Sequence, residues 1–340
     1  MKKAAIQAVE YYLPPETLTT ATLDAMFPEW DVARIDERTG ICERHIAAAE
    51  ICASDLAVEA AKKLFATGLC QPESVEYILF CTETPDHLLP PCACLVQDRL
   101  GISTRAGALD FSLGSSGYVY GLGLAQGLIE TGQVSSVLLL TADTYSKLIH
   151  PRDRSTRTIF GDAATATLVV GVDCSEVCLG PYVYGTDGRG AENLIVPAGG
   201  MRRPHSAETT LAIEDENGNV RSSENLYMNG AEIFNFTLGA VPGLVKDMLD
   251  RSGRQLADID LFVFHQANRQ MLEHLRKRIH LPSERFAVAL SHCGNTVSSS
   301  IPIALRDAVA GGRVKAGDLT MLVGFGVGYS WGATLARWIG

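Results

Sequence analysis

Three polar residues stand where predicted apolar strands end, which is where reactive side chains often lie in α/β proteins. Ser115 sits on a turn of small residues between a predicted strand and a predicted helix. There, free backbone N–H groups and the positive helix end stabilise negative charge on a nucleophile or on a tetrahedral oxyanion. His265 directly follows a predicted strand at residues 261–264, and Asn295 lies on a later turn.

Each of these residues also has an ordinary structural explanation. Serine is a frequent helix N-cap, and this interpretation is favoured when the Ser115 segment is considered alone. The turn is not a Gly-x-Ser-x-Gly elbow, because Leu113 stands where the first glycine should be. A histidine at a strand end is usually a satisfied polar residue, and a Gly-Asn pair is usually a turn. These three residues, taken together with the glycine-rich residues 324–332, form a more specific pattern.

The elements that must position these residues occur twice. The predicted strands at residues 75–81 and 259–265 each follow an acidic helix end. The predicted strands at residues 137–141 and 319–323 each follow a helix, a glycine stop and a short loop. A repeat of about 180 residues is too long for a solenoid unit and indicates a duplicated α/β domain. We place the halves at residues 1–173, with the nucleophile, and 174–340, with the histidine and asparagine. Strands alternating with helices predict mostly parallel sheets covered by helices.

Between the main elements of the halves, residues 185–227 are rich in Gly, Arg, Asn and Glu and predict an irregular excursion. Within it, residues 215–219 superficially resemble a calcium loop. The glycine has the wrong offset, however, and no bidentate glutamate follows at the twelfth position. A hairpin turn on Asn217 and Gly218 is the better interpretation.

Composition excludes several classes of protein. A net charge of −10 argues against a general nucleic-acid binder. Apolar runs such as residues 137–142 are far shorter than the roughly 20 residues that span a bilayer, so we expect no membrane segment. The N-terminus lacks the pattern of a signal peptide, which makes the cytoplasm the expected location. Nine scattered cysteines without zinc-finger spacing predict reduced thiols and no metal site.

The order of the motifs resembles the ketoacyl-ACP synthase III family over essentially the whole chain. The motifs are Asp110 with Ser115-Ser-Gly-Tyr118, His265-Gln-Ala-Asn268, Gly294-Asn-Thr296 and Phe325-Gly-x-Gly-x-x-Trp-Gly332, supported by Arg38-Thr-Gly-Ile41, Glu43-Arg-His-Ile-Ala47 and Ile159-Phe-Gly-Asp162. The resemblance implies an α/β, thiolase-like, five-layered αβαβα fold of two duplicated halves with mixed sheets, and a homodimer.

The resemblance also implies a mechanism. An acyl group would move from a coenzyme A thioester, a substrate rather than a permanently bound cofactor, to an active-site cysteine. It would then condense with a malonyl-acyl carrier protein that loses carbon dioxide. His265 and Asn295 would hydrogen-bond the malonyl thioester carbonyl, and the N–H groups of Ser115 and Val327 would form the oxyanion hole.

Ser115 occupies the position of that cysteine. A thiol is partly ionised near neutral pH, whereas a serine hydroxyl needs an adjacent base. Either a cysteine has been replaced to give a trapped form, or the serine is natural and the protein is an acyltransferase without condensation, with His265 as base. The intact His265, Asn295 and glycine loop favour the replacement. They also argue against a third possibility, a catalytically silent partner subunit.

Substrate-binding residues also follow from the resemblance. Coenzyme A would contact Arg38, Arg154 and Asn268. Arg34 stands where the family often stacks a tryptophan on the adenine, and Trp30 lies one helical turn earlier.

Acyl-pocket and docking positions complete the prediction. Leu89 and Phe234 match acyl-pocket positions, and a leucine where the family often has phenylalanine predicts acceptance of medium-chain or functionalised acyl groups. Arg269, Arg276 and Lys277 lie on a basic helix of an acidic protein, which suits docking of an acidic carrier protein.

Overall fold

The computed structural model describes residues 2–340, which form both helices and strands. The elements of the first half are β1 (Lys3–Tyr12), β2 (Glu16–Thr19), α1 (Thr20–Met26), α2 (Val32–Thr39), β3 (Glu43–Ile46), α3 (Ala53–Ala66), β4 (Tyr77–Cys81), α4 (Cys92–Arg99), β5 (Gly107–Phe111), α5 (Gly117–Glu130), β6 (Ser136–Asp143), α6 (Arg154–Arg157) and β7 (Ala163–Val172). Those of the second half are β8 (Leu179–Thr186), β9 (Leu194–Ile195), β10 (Ile213–Glu214), β11 (Val220–Arg221), β12 (Tyr227–Met228), α7 (Gly230–Ser252), β13 (Leu261–Phe264), α8 (Arg269–Arg278), α9 (Ser300–Ala310), β14 (Leu319–Gly326) and β15 (Ser330–Arg337).

The two main sheets repeat one strand order. The first sheet runs β1-β7-β6-β4-β5 and the second β8-β15-β14-β13, where a bridge between Phe262 and Phe286 takes the place of a fifth strand. This repetition supports the duplication, and the join predicted at residues 173–174 falls in the loop between β7 and β8. We therefore propose the same two units, residues 1–173 and 174–340.

Mostly parallel pairing was the wrong expectation, because both sheets are mixed. Among the strands of residues 2–340, β4 pairs in parallel with β5 and β6, and β13 with β14, while the other strand pairs are antiparallel. The connections from β6 to β7 and from β14 to β15 lack a helix that covers the sheet, and these strands pair antiparallel.

The packing forms five layers. Helices α5 and α9 lie between the sheets and contact both of them, in a core that includes Leu122, Leu139, Ile301 and Leu322. Helices α3 and α4 cover the outer face of the first sheet, and α7 and α8 that of the second. The layers are therefore αβαβα, as expected from the thiolase-like resemblance. No helix within residues 2–340 is both long and apolar enough to traverse a bilayer.

Small residues allow α5 to fit between the two sheets. A Cβ atom on Gly121 would lie 2.6 Å from Leu139 Cδ1 of the first sheet, and one on Gly123 would collide with the Tyr184 hydroxyl of the second. The N-terminus of α5, where Ser115 lies, is thereby held against both halves of the protein.

The irregular excursion carries only short strands. β9 pairs with β12, and β10 pairs with β11 across a turn in which the Asp215 N–H donates to the Asn219 carbonyl over 2.9 Å. Gly218 adopts φ +78°, a left-handed conformation that favours glycine. The predicted hairpin is confirmed.

Candidate active site

The ends of strands from both halves meet at one cavity. β4, β5 and β6 are parallel, so their carboxyl ends lie at one edge of the first sheet, where ligands commonly bind. In the second half, His265 follows β13 and Gly326 ends β14. The cavity has a volume of about 140 Å³ and is lined by Ser115, Tyr145, Ile159, Phe160, Leu194, Met228, Gly230, Ile233, His265, Ala267, Asn268, Met271, Asn295, Val297, Phe325, Gly326 and Val327. The structure thus brings Ser115, His265, Asn295 and Val327 together.

Ser115 is buried against the glycine-rich loop. A Cβ atom on Gly326 would lie 3.1 Å from Ser115 Cβ and 3.2 Å from Ser115 Oγ, so only glycine lets the loop approach this closely. Within residues 2–340, the backbone N–H groups of Ser115 and Val327 have no hydrogen-bond acceptor. Both are therefore available to a bound oxyanion.

His265 is neutral, and its hydrogen bonds fix its tautomer. Its Nδ1 lies 2.7 Å from Ser300 Oγ, which also accepts a hydrogen bond from the Gln266 N–H over 3.3 Å. Because the Ser300 hydroxyl has no other acceptor within the described residues, it donates to Nδ1, and the imidazole proton resides on Nε2. Burial lowers the pKa of His265 to about 3. The residue therefore offers the cavity an N–H donor rather than a base.

Asn295 is held by its own turn. Its Oδ1 accepts the Val297 N–H over 3.0 Å, and Val297 adopts φ +53°, an unfavourable conformation for a β-branched residue. Its backbone pairs with Ile159 and Gly161 of the Ile159–Asp162 motif, over 2.9 and 3.1 Å. The amide nitrogen Nδ2 is left to donate into the cavity.

Sequence analysis missed two residues beside the nucleophile. Tyr145 lines the cavity, and its hydroxyl donates to the half-buried carboxylate of Glu83. A Cβ atom on Gly114 would lie 2.6 Å from Glu83 Oε2, so this carboxylate packs against the residue before Ser115. Burial raises the pKa of Glu83. Both residues follow the carboxyl ends of parallel strands, and that position was the available signal.

Other motif residues have structural roles. Asp110 caps α4 by accepting the N–H groups of Cys92 and Ala93 over 2.6 and 2.7 Å. Arg44 is fully buried and pairs with Asp36 over 2.9 Å. Across residues 2–340, no group of three or more His, Cys, Asp or Glu side chains is placed to hold a metal ion.

Arg38, Arg154 and Asn268 are brought together at the mouth of the cavity. They line one surface depression, and Asn268 also lines the cavity, so the two spaces adjoin. The Asn268 Oδ1 caps α8 by accepting the Met271 N–H over 2.8 Å. Phe234 lines a neighbouring depression with Arg38 and Asn268, which places it at the entrance rather than in the cavity wall.

The remaining predicted residues lie elsewhere. Trp30 is buried and stacks on Phe27 with 4.0 Å between ring centroids, and Arg34 is exposed; neither lines the depressions at the mouth. Leu89 is 80% exposed in the single chain, outside the cavity.

The predicted docking residues on α8 differ in whether their side chains already have partners within the protein. Arg276 is engaged by Glu273 over 2.9 Å and by the Leu281 carbonyl over 2.8 Å. Arg269 is exposed, with its side chain packed over Gly40, and Lys277 is exposed.

Known proteins resemble this chain along its whole length. Residues 109–188 match the 3-oxoacyl-[acyl-carrier-protein] synthase III family, and residues 249–338 match the C-terminal region of the same enzyme. A beta-ketoacyl-[acyl-carrier-protein] synthase III of Caldanaerobacter subterraneus subsp. tengcongensis is 38% identical over 98% of both chains. A crystal structure of a 3-oxoacyl-(acyl-carrier-protein) synthase III is 51% identical, with a TM-score of 0.98 over 99% of this chain and 100% of that one. That of a 3-oxoacyl-(acyl-carrier protein) synthase from Burkholderia xenovorans LB400 is 38% identical, with a TM-score of 0.90 over 99% and 95%.

Proposed function

The chain belongs to the 3-oxoacyl-[acyl-carrier-protein] synthase III family, and we propose from this that Ser115 accepts the acyl group while His265 and Asn295 stabilise the enolate. The protein is an acyltransferase. It moves an acyl group from an acyl-coenzyme A or acyl-carrier protein to an active-site nucleophile and condenses it with malonyl-acyl carrier protein, which loses carbon dioxide. The product is a 3-oxoacyl-carrier protein for fatty acid or specialised-metabolite synthesis, and the thioester is a substrate rather than a resident cofactor.

In the acylation step, Ser115 Oγ attacks the thioester carbonyl carbon. A C–O bond forms, and the carbonyl oxygen takes negative charge that the N–H groups of Ser115 and Val327 stabilise. Collapse of this intermediate breaks the C–S bond, and the departing thiolate takes up the proton that the Ser115 hydroxyl loses. The absence of competing acceptors for these two N–H groups within residues 2–340 supports this role.

The condensation step rests on one observation: neutral His265 and Asn295 offer N–H donors to the cavity that also contains Ser115. When the malonyl carboxylate leaves as carbon dioxide, its bonding electrons form an enolate whose oxygen accepts from Nε2 and Nδ2. The enolate carbon then attacks the acyl carbon on Ser115. A C–C bond forms, the ester C–O bond breaks, and the released Ser115 oxygen takes a proton from solvent.

The second candidate is acyl transfer without condensation, with His265 as base. The Ser300 hydrogen bond to Nδ1 and the lowered pKa of His265 disfavour it, because the free ring nitrogen carries a proton. A pair of donors aimed at a carbonyl oxygen is what decarboxylation requires.

The decisive experiment follows carbon dioxide release from malonyl-carrier protein labelled in the carboxylate, together with the intact mass of the protein after exposure to acyl-coenzyme A. We expect an acyl adduct on Ser115 and label release. His265→Ala or Asn295→Ala should keep the adduct and lower release by about 100-fold or more. His205→Ala, at an exposed histidine in the excursion, is the matched control. An adduct without any label release would favour the second candidate.

For substrate binding, we propose that Arg38, Arg154 and Asn268 hold coenzyme A, and that Arg269, Arg276 and Lys277 meet the acidic carrier protein. Arginine forks suit phosphates, which supports the first assignment. With Leu89 limiting the acyl group across the proposed homodimer and Phe234 at the cavity entrance, medium-chain or functionalised thioesters should be preferred. Equal or faster turnover of acetyl-coenzyme A would contradict that preference.

We also propose a homodimer that works in the cytoplasm. None of the nine cysteines is in a disulfide, which suits a reducing compartment. The strand β5, which forms an exposed edge of the first sheet, supports the dimer.

A further inference from the structure

The two N–H groups of the proposed oxyanion hole come from segments that are far apart in the chain. Ser115 precedes α5 in the first half, and Val327 lies on the turn between β14 and β15 in the second half. The ladder between β14 and β15 ends with the pair of Gly326 and Ser330, so it does not fix the Val327 backbone. The alignment of the two N–H groups therefore depends on contacts between the segments.

A pair of buried hydroxyl groups joins the two segments. Ser116 is the N-cap of α5 and Ser330 is the first residue of β15, and their Oγ atoms lie 2.5 Å apart although 214 residues separate them in the chain. Ser116 is fully buried, and Ser330 is 3% exposed. Ser330 Oγ also lies 3.0 Å from the carbonyl oxygen of Val327. A chain of hydrogen bonds thus connects the residue after the nucleophile with the residue that carries the second N–H group.

The direction of both hydrogen bonds follows from the chemistry of the groups. The Val327 carbonyl can only accept, so Ser330 donates its one hydrogen to it. Ser116 must then donate its own hydrogen to Ser330 Oγ. Loss of the Ser330 hydroxyl would therefore leave a buried donor at Ser116 without an acceptor and would release the Val327 carbonyl.

Two glycines allow the segments to approach this closely. A Cβ atom on Gly324 would lie 2.7 Å from Ser116 Cα, so a larger residue would push β14 away from the start of α5. Gly328 adopts φ +136°, and a Cβ atom there would lie 2.8 Å from Ser330 N. Apolar packing has no preferred direction, whereas hydrogen bonds do. The hydroxyl chain is thus the contact that can orient the Val327 backbone.

We propose that Ser116 and Ser330 are positioning residues that hold the Val327 N–H group in register with the Ser115 N–H group. Fixing the Val327 carbonyl restricts the backbone rotations of this residue and so the direction of its N–H. Both donors are then aimed at one point before the substrate arrives, as stabilisation of an oxyanion requires. Neither serine lines the cavity, so both act through Val327. The inference rests on the proposed acylation of Ser115.

Single-turnover acylation by acyl-coenzyme A tests this role. Ser330→Ala should lower the acylation rate constant by about tenfold or more with unchanged half-saturation, because the oxyanion hole acts on the transition state. Ser330→Thr keeps the hydroxyl and should restore most of the rate. Ser116→Ala leaves the bond from Ser330 to Val327 in place, so its loss should be smaller. The double variant should be no slower than Ser330→Ala, because both serines act through one chain.

The acyl adduct gives a second measurement. In infrared spectra of an adduct with an isotopic label at the carbonyl carbon, the C=O stretch reports hydrogen bonding to the carbonyl oxygen. We expect Ser330→Ala to move this band to higher wavenumber, because the oxygen then accepts weaker hydrogen bonds. Thr167→Val is the matched control, since it also removes a buried hydroxyl, one that pairs with the Tyr118 hydroxyl over 3.2 Å. It should change neither the rate nor the band.

Four results would overturn the proposal. An unchanged rate in Ser330→Ala, or an equal loss in Thr167→Val, would remove the positioning role while the proposed acylation stands. Losses that multiply in the double variant would show that the two serines do not act through one chain. If Ser115→Cys is acylated but Ser115 is not, the proposed role of Ser115 fails, and the same comparisons in Ser115→Cys decide the positioning role. If neither protein is acylated, the positioning role fails together with the proposed function.

Discussion

The chemistry of His265 depends on one hydroxyl outside the cavity. Ser300 fixes the imidazole tautomer through its bond to Nδ1, so Ser300→Ala should leave that nitrogen unpaired and the tautomer unfixed. We expect label release from malonyl-carrier protein to fall about tenfold or more, and stability to fall by ~1–3 kcal/mol because a buried polar atom loses its partner. Ser300→Thr keeps the hydroxyl and should retain most of the activity. Equal losses in the two variants would contradict the tautomer argument.

The buried imidazole should also make stability depend on pH. Unfolded histidine takes up a proton below about pH 6.5, whereas folded His265 stays neutral until pH nears its pKa of about 3. Between these two pH values, the unfolded state binds more protons than the folded state. The free energy of unfolding therefore falls by up to ~1.4 kcal/mol for each unit by which the pH falls.

A variant without this group isolates its effect. His265→Gln cannot ionise, so the free energy of unfolding of the parent relative to this variant should decline by ~1.4 kcal/mol per unit between pH 6 and pH 4. Urea denaturation at several pH values measures both proteins. Parallel pH curves would mean that His265 is protonated in the folded state.

The sequence predicted which residues lie in the site, but not which side chains they contact. Ser115 and His265 could be found because each follows a predicted strand, and Asn295 because its Gly-Asn-Thr turn completes the motif order of the family. Glu83 and Tyr145 are 62 residues apart and meet only because β4 and β6 are parallel neighbours in a fixed register. Trp30 was placed at the coenzyme A site by resemblance, but local packing on Phe27 buries it.

The helix that presents the nucleophile gives a matched test of close packing. In α5, Gly121→Ala would press a Cβ atom to 2.6 Å from Leu139 Cδ1, whereas nothing lies within 4 Å of a Cβ atom on Gly127. Gly127→Ala should stabilise the protein by ~0.5–1 kcal/mol through helix propensity alone. Gly121→Ala should destabilise it by ~1–3 kcal/mol. Urea denaturation of the two variants checks the sign, and a stabilised Gly121→Ala would show that α5 is not tightly held.

Elements with local signals were predicted well. The strand at residues 261–264 has the predicted bounds. The predicted basic helix forms as α8, since Asn268 caps it and basic residues fill its last turn. The direction of pairing was predicted less well. The antiparallel ladders of β7 and β15 are long-range features that alternation of helices and strands does not encode.

The edge strand β5 of the first sheet exposes apolar residues that we expect another chain to cover. β5 ends the first sheet and pairs only with β4 among residues 2–340. Leu109 on β5 is 44% exposed, and the nearby Leu88 and Leu89 are 81% and 80% exposed. An exposed apolar edge strand promotes association, and a twofold axis would pair β5 with its copy. This dimer would also carry Leu89 toward the partner subunit.

Leu109→Arg should break that dimer, because the twofold axis brings two like charges close together across β5. In light scattering after size exclusion, the parent should show twice the chain mass of 36.5 kDa and the variant 36.5 kDa. Val177→Arg, at a residue that is 51% exposed between β7 and β8, is the matched control and should stay dimeric. If Leu89 bounds the partner's acyl group, the Leu109→Arg monomer should also lose its discrimination between acyl chain lengths. A parent of 36.5 kDa, or a dimeric Leu109→Arg, would rule out β5 as the interface.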